Sequence, residues 1–151
     1  MLQLATAADR AAVNELAQQV HGMHLTWCPE VFQETGELYP QERFDAHVKN
    51  RELYVAKIGG QTAGYVLLRI RDVDGIGLCP RRVMILEECC VHEALRGHGI
   101  GTEMMGDVRA LAKAFRCGEM ILKVYPQNED AIRFYEANGF LIRAIDMQCK
   151  L

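Results

Sequence analysis

Three glycines within five residues, preceded by an arginine, form the stretch whose residue types suggest chemistry most directly. It runs from Arg96 to Thr102 and reads RGHGIGT. An apolar run with strand character precedes it, and apolar residues spaced by three or four positions follow it, which predicts strand, turn and helix. Glycines have no Cβ atom and so let a ligand approach the backbone. The first amides of a helix have no hydrogen-bond partner and lie at the positive end of the helix dipole, so the turn favours the binding of an anion. Arg96 adds a permanent positive charge.

Two common phosphate-binding motifs do not fit this stretch. A dinucleotide fingerprint that starts at Gly97 needs glycine or alanine where Thr102 stands, and one that starts at Gly99 needs it where Met104 stands. No acidic residue ends a strand about 20 residues later, and no Gly-Lys-Ser/Thr follows. The pattern that fits is Arg/Gln-x-x-Gly-x-Gly/Ala, with Arg96, Gly99 and Gly101 at the defined positions.

A second pattern lies at residues 128–140, which read N-x-x-A-x-x-F-Y-x-x-x-G-F. With the glycine-rich stretch before it, this pattern resembles the GNAT superfamily of N-acetyltransferases. The resemblance extends over nearly the whole chain and is strongest over residues 85–140. It implies acetyl-CoA as the cofactor and a turn whose amides hold the pyrophosphate.

The resemblance also assigns cofactor-binding positions along the chain. The pantetheine arm is expected to pair with the backbone of Cys89 and Val91, while Asn128 binds its amides and Ala131 leaves it room. The residues expected at the pyrophosphate are Arg96, Gly97, His98, Gly99, Ile100, Gly101 and Thr102.

Two side chains are candidates for proton transfer. By resemblance, Tyr135 is the general acid, since a phenol with a pKa near 10 is protonated at neutral pH; its alternative is a core tyrosine beside Phe134. Glu87 is the candidate base for the acceptor amine, on the expectation that strand alternation puts it on the face of Cys89 and puts Glu88 on the opposite face. Glu88, or water alone, remains an alternative base.

These assignments predict an N-acetyltransferase that moves an acetyl group directly from acetyl-CoA to a primary amine of a small molecule or peptide. The alternative is a non-catalytic module that binds or senses acyl-CoA. Direct transfer needs no acyl-cysteine, so Cys89 is interpreted as a structural thiol. Residues 27–39 either recognise the acceptor or cap the core, and the resemblance also allows a homodimer.

The composition predicts a single soluble domain over residues 1–151. Half of the residues are apolar, 25% are charged, and the net charge of −3 gives no support for binding nucleic acid or a membrane surface. The N-terminus lacks the features of a signal peptide, and the six cysteines contain no Cys-x-x-Cys pair. We therefore expect a cytoplasmic protein with free thiols. The histidines show no metal-binding spacing, so no metal is expected.

The expected fold is α/β: one mixed, mostly antiparallel sheet of six or seven strands flanked by about four helices, with one parallel βαβ crossover at the cofactor site. Gly22 is expected to end the first helix, and Gly59-Gly60 to form a hairpin turn. Strands are predicted at residues 2–5, 52–58, 62–71, 81–91 and 119–125, with a last strand or pair of strands at 140–151. Helices are predicted at residues 7–20, 41–49, 99–115 and 128 to 137 or 138.

Overall fold

A computed structural model describes all of residues 1–151. Its strands are β1 (Leu2–Leu4), β2 (Leu53–Ile58), β3 (Gln61–Val73), β4 (Arg81–Val91) and β5 (Glu119–Leu122). Its α-helices are α1 (Arg10–Trp27), α2 (Gln41–Lys49), α3 (Ile100–Ala114) and α4 (Glu129–Ala137). Single 3₁₀ turns lie at Ala7–Asp9 and Glu93–Leu95. None of the helices has the length and apolar character needed to cross a membrane.

The five strands form one sheet in the order β1-β2-β3-β4-β5. The first three pairings are antiparallel, whereas β4 and β5 run parallel because α3 carries the chain across the sheet between them. The predicted mixed fold with one parallel crossover is therefore confirmed. The sheet has five strands rather than six or seven.

Helices cover both faces of the sheet and produce two separate cores. On the first face, α1 and α2 bury Leu16 and Phe44 against Val55 and Tyr65. On the second face, α3 buries a set of apolar side chains against β2, β3 and β4, including Met104 and Val108. Alternate residues of β2 and β3 enter the two cores, so both strands have buried apolar side chains on either face.

Two predicted boundaries are wrong. The first helix continues through Gly22 to Trp27, and its C-cap Cys28 lies directly before Pro29. Proline disfavours a helical conformation in the residue before it, so Pro29 ends this helix and Gly22 does not. Strand β5 ends at Leu122 rather than at residue 125, because β5 pairs with β4 over only four positions.

The predicted strand or strands at residues 140–151 are absent. Gly139, with a φ of 80°, ends α4, and the amide of Phe140 donates to the carbonyl of Tyr135 at 3.0 Å. Beyond Phe140, no backbone–backbone hydrogen bond involves this segment, and most of its side chains are exposed. Apolar and polar residues alternate in this segment, but its backbone does not pair with an edge of the sheet in the single chain.

Gly64 on β3 allows α3 to approach the sheet. A Cβ atom at this position would lie 2.6 Å from the carbonyl oxygen of Cys90 and 3.0 Å from the sulfur of Met104. The backbone oxygen cannot move away without disturbing β4, so a side chain here would overpack the junction between the strands and α3.

We expect Gly64→Ala to lower the free energy of unfolding by about 1–3 kcal/mol, as other overpacked cores do. The matched control is Gly106→Ala in α3, where a Cβ meets nothing within 4 Å; alanine should stabilise that helix by up to about 1 kcal/mol. Urea unfolding measures both changes, and equal effects at the two positions would contradict this account of Gly64.

Candidate active site

The glycine-rich stretch forms a turn that exposes unpaired amides. Gly97 and Gly99 have φ values of 78° and 82°, which glycine adopts without strain, and Gly99 is the N-cap of α3. The first amide of α3 that has a partner within the chain is that of Glu103, which donates to the carbonyl oxygen of Gly99 at 3.1 Å. The amides of residues 97–102 donate to no acceptor in the chain. They therefore form an anion-binding concavity at the positive end of the α3 dipole.

Arg96 and His98 are held at the rim of this turn. The Arg96 Nε donates to the carbonyl oxygen of Val91 at 3.1 Å, which ties the turn to the end of β4. His98 Nδ1 lies 2.9 Å from the carbonyl oxygen of Arg96, and since a carbonyl can only accept, Nδ1 carries the proton. Both side chains are exposed, as is Thr102, whereas Ile100 is buried and anchors the helix.

The end of β4 presents a free backbone edge next to this turn. The amide of His92 donates toward β3, and alternate residues of an antiparallel strand direct their N–H and C=O groups to the same edge. Cys90 therefore also faces β3, whereas Cys89 and Val91 face the side of β5. Because the parallel pairing ends at Leu86, these two residues have no strand beside them. An extended ligand arm could pair with β4 at this position.

A β-bulge interrupts β4 where the two candidate bases lie. Leu68 pairs with Leu86, but the next residue of β3, Leu67, pairs with Glu88, so Glu87 has no partner across the strand pair. A bulge adds one residue to one strand and reverses the face of every residue that follows. The side chains of β4 therefore do not alternate strictly between the two faces of the sheet at this point.

The prediction that Glu87 shares a face with Cys89 is consequently wrong. The carboxylate of Glu87 lies 3.8 Å from Arg69, which is two residues from Leu67 and on the same face of β3. Leu67 belongs to the first core, while Cys89 packs against the second. Glu87 and Glu88 thus both lie on the first face. Glu87 is exposed.

Glu88 is the acceptor for three side chains, two of which belong to the first core. The hydroxyls of Tyr39 and Tyr65 donate to its Oε2 at 2.8 Å and 2.6 Å, and Arg43 donates to its Oε1 at 3.1 Å. The guanidinium of Arg43 also lies 4.4 Å above the ring of Tyr39. The sequence analysis missed this cluster, because the three donors lie 23 to 49 positions from Glu88 and no local pattern connects them to it.

Glu87 instead lines an open cleft of about 290 Å³ where β4 and β5 separate. The other residues of the cleft are Arg71, Ile85, Leu86, Ile121, Leu122 and Lys123. The Glu87 carboxylate forms an ion pair with Arg69 at 3.8 Å, a distance longer than a hydrogen bond. Of the two glutamates, only Glu87 has a carboxylate without a hydrogen-bond donor from the chain.

A smaller cavity of about 170 Å³ lies elsewhere, at the other end of α3 beside Phe115. Tyr54 lines it, and the hydroxyl of Tyr54 is buried without a hydrogen-bond partner. None of the predicted site residues lines this cavity, so it is separate from the site at the end of β4.

Helix α4 brings Tyr135 to the second face of β4. A Cβ at Gly101 would lie 3.1 Å from the ring of Phe134, so the glycine allows α4 to pack on the first turn of α3. The ring of Tyr135 packs against Phe134 and Phe140 at centroid distances of 5.3 Å and 5.6 Å. Its hydroxyl makes no hydrogen bond within the chain and is open to solvent. Burial of the side chain, with Cys89 nearby, raises the pKa of Tyr135 well above its usual value, so the hydroxyl is protonated at neutral pH.

Cys89 has the properties of a structural thiol. Burial and the neighbouring Cys90 raise the pKa of Cys89 to about 12, so the thiolate is scarce at neutral pH. No cysteine of the chain forms a disulfide, and no group of three or more His, Cys, Asp or Glu side chains is placed to hold a metal ion.

Asn128 caps the helix that carries Tyr135. Its Oδ1 accepts from the amide of Ala131 at 3.3 Å, so one end of its amide is used within the chain and the Nδ2 group is free. Ala131 is partly buried, one turn before Tyr135 on the same helix. These two residues and Tyr135 thus form one surface of α4.

The irregular segment after α1 spans the opening between β4 and β5. Tyr39 attaches one end of it to Glu88 on β4. At the other end, the ring of Phe32 stacks on His24 at 4.9 Å and meets Tyr125, which follows β5, at 5.8 Å. The aromatic residues of this segment therefore bridge the two strands at the site and are more than a cap on the first core.

The tyrosine cluster around Glu88 gives a prediction for alkaline pH. Burial, followed by the nearby Glu88, raises the pKa of both Tyr39 and Tyr65 above the usual 10.0. A group whose pKa is higher in the folded state contributes full stability below its unfolded pKa and loses that contribution as the pH rises above it.

We therefore expect the free energy of unfolding to fall above about pH 10, by up to about 1.4 kcal/mol per pH unit for each tyrosine. Urea unfolding between about pH 8 and about pH 11 measures this slope, and Tyr65→Phe should make it shallower. A slope that is the same in Tyr65→Phe and in the wild type would count against the cluster as its origin.

Comparison with known proteins agrees with this geometry. A sequence model described as the acetyltransferase (GNAT) family matches residues 14–140. A solved structure of a tetramutant of the BH1408 protein from Bacillus halodurans is 25% identical, covers 100% of this chain and 99% of that chain, and superposes with a TM-score of 0.94.

Two further structures share the fold at lower identity. A putative acetyltransferase from Agrobacterium tumefaciens is 22% identical, with a TM-score of 0.77 and coverage of 100% of this chain and 99% of that chain. The aminoglycoside N-acetyltransferase AAC(6')-Iy in complex with CoA is 16% identical, with a TM-score of 0.72 over 100% of both chains. The family match covers most of the chain, and the family uses acetyl-CoA as its cofactor. This protein belongs to the GNAT family of acetyltransferases.

Proposed function

We propose that this protein is an N-acetyltransferase that transfers an acetyl group from acetyl-CoA directly to a primary amine of a small molecule or peptide. The observation that carries the proposal is the convergence of three features at the end of β4. These are the turn with unpaired amides, the free edge of the strand, and the cleft that Glu87 lines. Such an arrangement suits a long anionic cofactor on one side and an acceptor on the other.

The residues present fit this cofactor. The amides of residues 97–102 would hold its pyrophosphate, with Arg96, His98 and Thr102 at the rim. The backbone of Cys89 and Val91 would pair with its pantetheine arm, and the free Nδ2 of Asn128 would donate to it. Ala131 is small enough to leave room on α4. When bound, acetyl-CoA supplies an activated thioester acetyl group.

The chain supplies a proton acceptor and a proton donor on opposite faces of β4. Glu87 takes a proton from the acceptor amine, directly or through water, since an amine with a pKa near 10 is mostly protonated at neutral pH. Tyr135, neutral in its partly buried position, donates its hydroxyl proton to the sulfur that leaves. No acyl-cysteine is required, in keeping with the protonated thiol of Cys89.

The acceptor would enter the cleft that Glu87 lines. The carboxylate of Glu87 would attract a cationic amine, while Arg71 and Lys123, which also line the cleft, would disfavour a molecule that carries several positive charges. An amine that also carries neutral or acidic groups therefore suits the cleft best. We further propose a cytoplasmic location, where the free thiols remain reduced.

An amine panel tests the proposal. Acetyl-CoA is incubated with polyamines, aminoglycosides, amino sugars, amino acids and short peptides, and the release of free thiol is measured. We expect release that depends on the enzyme and on one class of amine. If CoA raises the melting temperature but no amine releases thiol, the non-catalytic acyl-CoA module is the correct interpretation.

Replacement of Tyr135 tests the general acid. We expect Tyr135→Phe to lower kcat by about 10²–10⁴-fold with little change in the KM for acetyl-CoA, because only the proton donor is removed. The control is Tyr54→Phe, which removes a buried hydroxyl that has no partner and should leave kcat unchanged. An unchanged kcat in Tyr135→Phe would falsify the assignment.

Substitutions of the two adjacent glutamates should affect different properties: at Glu87 the activity, and at Glu88 the stability. We expect Glu87→Gln to lower kcat by at least about tenfold without a change in unfolding midpoint. Glu88→Gln should lower the free energy of unfolding by about 1–3 kcal/mol, since three donors lose a charged acceptor, while the folded variant retains turnover. The reverse pattern in steady-state kinetics and urea unfolding would make Glu88 the base.

A further inference from the structure

The cavity at the end of α3 has an apolar floor and a polar rim. Three of its lining residues are buried, namely Tyr54, Leu68 and Met84, and they come from β2, β3 and β4. Asn50 and Arg51, which follow α2, also line it and are exposed, so they mark its open side. The cavity is therefore a pocket that opens beside the turn after α2 and is closed by the sheet.

The floor contains a buried hydroxyl that no group of the chain satisfies. Tyr54 is 4% exposed and belongs to the second core, where its neighbours are apolar. Its hydroxyl is the one buried side-chain oxygen or nitrogen without a hydrogen-bond partner in the chain. A buried hydroxyl without a partner is destabilising, and such groups in native proteins call for a partner from outside the chain. A ligand in the cavity lies against Tyr54 and is placed to provide that partner.

The rim of the cavity carries one charge of each sign. Glu52, which also lines the cavity, uses Oε2 to accept from Nδ1 of His47 at 2.7 Å, and its Oε1 has no partner. The side chain of Arg51 is exposed and takes part in no ion pair or hydrogen bond within the chain. A cation and a carboxylate oxygen are therefore both available to a ligand at the opening.

Arg51 has a backbone conformation that favours glycine. Its φ is 58°, in the left-handed region, and it follows Asn50, the C-cap of α2. Glycine ends helices at this position without strain, whereas an arginine is strained there. Strained residues of this kind cluster at ligand-binding sites. The conformation of Arg51 therefore agrees with a role for its guanidinium at the rim.

The size of the cavity limits what can bind. Its volume of about 170 Å³ is close to that of an apolar cavity of about 150 Å³ that binds benzene, so it accommodates one six-membered ring. Leu68, Met84 and Phe115 would give such a ring its apolar contacts. A polar atom on the inner side of the ring would meet Tyr54, and charged groups on its outer side would meet the rim.

We propose that this cavity is a binding site for a free α-amino acid whose aromatic side chain ends in a polar atom, with tyrosine as the simplest example. The α-carboxylate would bind Arg51 and the amide of Asn50, and the α-ammonium would bind the free oxygen of Glu52. The ring would occupy the floor, and its hydroxyl would pair with that of Tyr54. Each polar group that lines the cavity then has a partner on one ligand.

This site is separate from the proposed active site. Met84 at the cavity and Val91 at the cofactor end lie about 23 Å apart along β4, at about 3.3 Å per residue. An amino acid in the cavity is therefore too far from the end of β4 to receive an acetyl group there. It would be a ligand and not the acceptor, so this inference goes beyond the proposed function and does not depend on it.

Isothermal titration calorimetry can compare tyrosine with three analogues that each lack one group. These are phenylalanine without the hydroxyl, tyramine without the carboxylate, and the deaminated analogue of tyrosine without the ammonium. We expect one tyrosine to bind per chain and each analogue to bind about tenfold more weakly, since each leaves a polar group of the cavity unpaired. No binding of tyrosine up to its solubility limit, or equal affinity for all four compounds, would overturn the proposal.

Two variants of the cavity test the individual contacts. Tyr54→Phe should bind tyrosine and phenylalanine with equal affinity, because the partner of the ligand hydroxyl is removed. Arg51→Gly suits the left-handed backbone, so the fold is kept, and it should weaken the binding of tyrosine about tenfold without affecting tyramine.

The matched control is Arg116→Gly. Arg116 also has a positive φ, of 60°, but it does not line the cavity, so this variant should bind tyrosine like the wild type. The proposal is wrong if Arg116→Gly loses as much affinity as Arg51→Gly, or if Tyr54→Phe still prefers tyrosine to phenylalanine.

Methyl NMR of the methionines locates the ligand. Met84 lines the cavity, whereas Met147 is exposed near the C-terminus. Tyrosine should shift the methyl resonance of Met84, assigned through Met84→Leu, should leave that of Met147 in place, and should do so equally in the presence of saturating CoA. Competition with CoA, or a shift confined to other methionines, would place tyrosine elsewhere and overturn the proposal. Because no step of these measurements needs turnover, failure of this site leaves the catalytic proposal standing, and the reverse also holds.

Discussion

The parallel pairing of β4 with β5 stops at Leu86 and Leu122, and the candidate site depends on that stop. Where neighbouring parallel strands separate at their carboxyl ends, a crevice forms between them. The unpaired backbone groups in this crevice can bind a ligand. Here β4 continues for another five residues, to Val91, beside β3 alone. The result is a free edge next to the first turn of α3.

The neighbouring elements each supply one part of the site because of their contact with this end of β4. Arg96 bonds the carbonyl of Val91 and so fixes the turn that precedes α3. Gly101 allows α4 to pack on that turn, which brings Tyr135 near Cys89 on the second face. On the first face, the segment that contains Tyr39 is held through Glu88. A ligand bound along β4 would therefore contact residues on both faces of the sheet.

The sequence was informative where local physics determines the structure. The period of α3, the glycine-rich turn that precedes it, and the parallel crossover all follow from residues within a short span, and they are confirmed. The end of α1 could also have been predicted, since Pro29 is a stronger stop than Gly22. The bulge at Glu87 could not, because it arises from the register of β4 against β3. The cluster around Glu88 depends on contacts over distant positions.

The bulge has a chemical consequence for the two adjacent glutamates. Without it, consecutive side chains would face opposite sides of the sheet, and one of them would lie in the second core with Cys89. With it, both carboxylates reach the first face but meet different surroundings. Glu88 is covered by two tyrosine hydroxyls and Arg43, whereas Glu87 remains at the cleft with only a distant arginine. One additional residue in β4 is thus sufficient to give two neighbouring glutamates different surroundings.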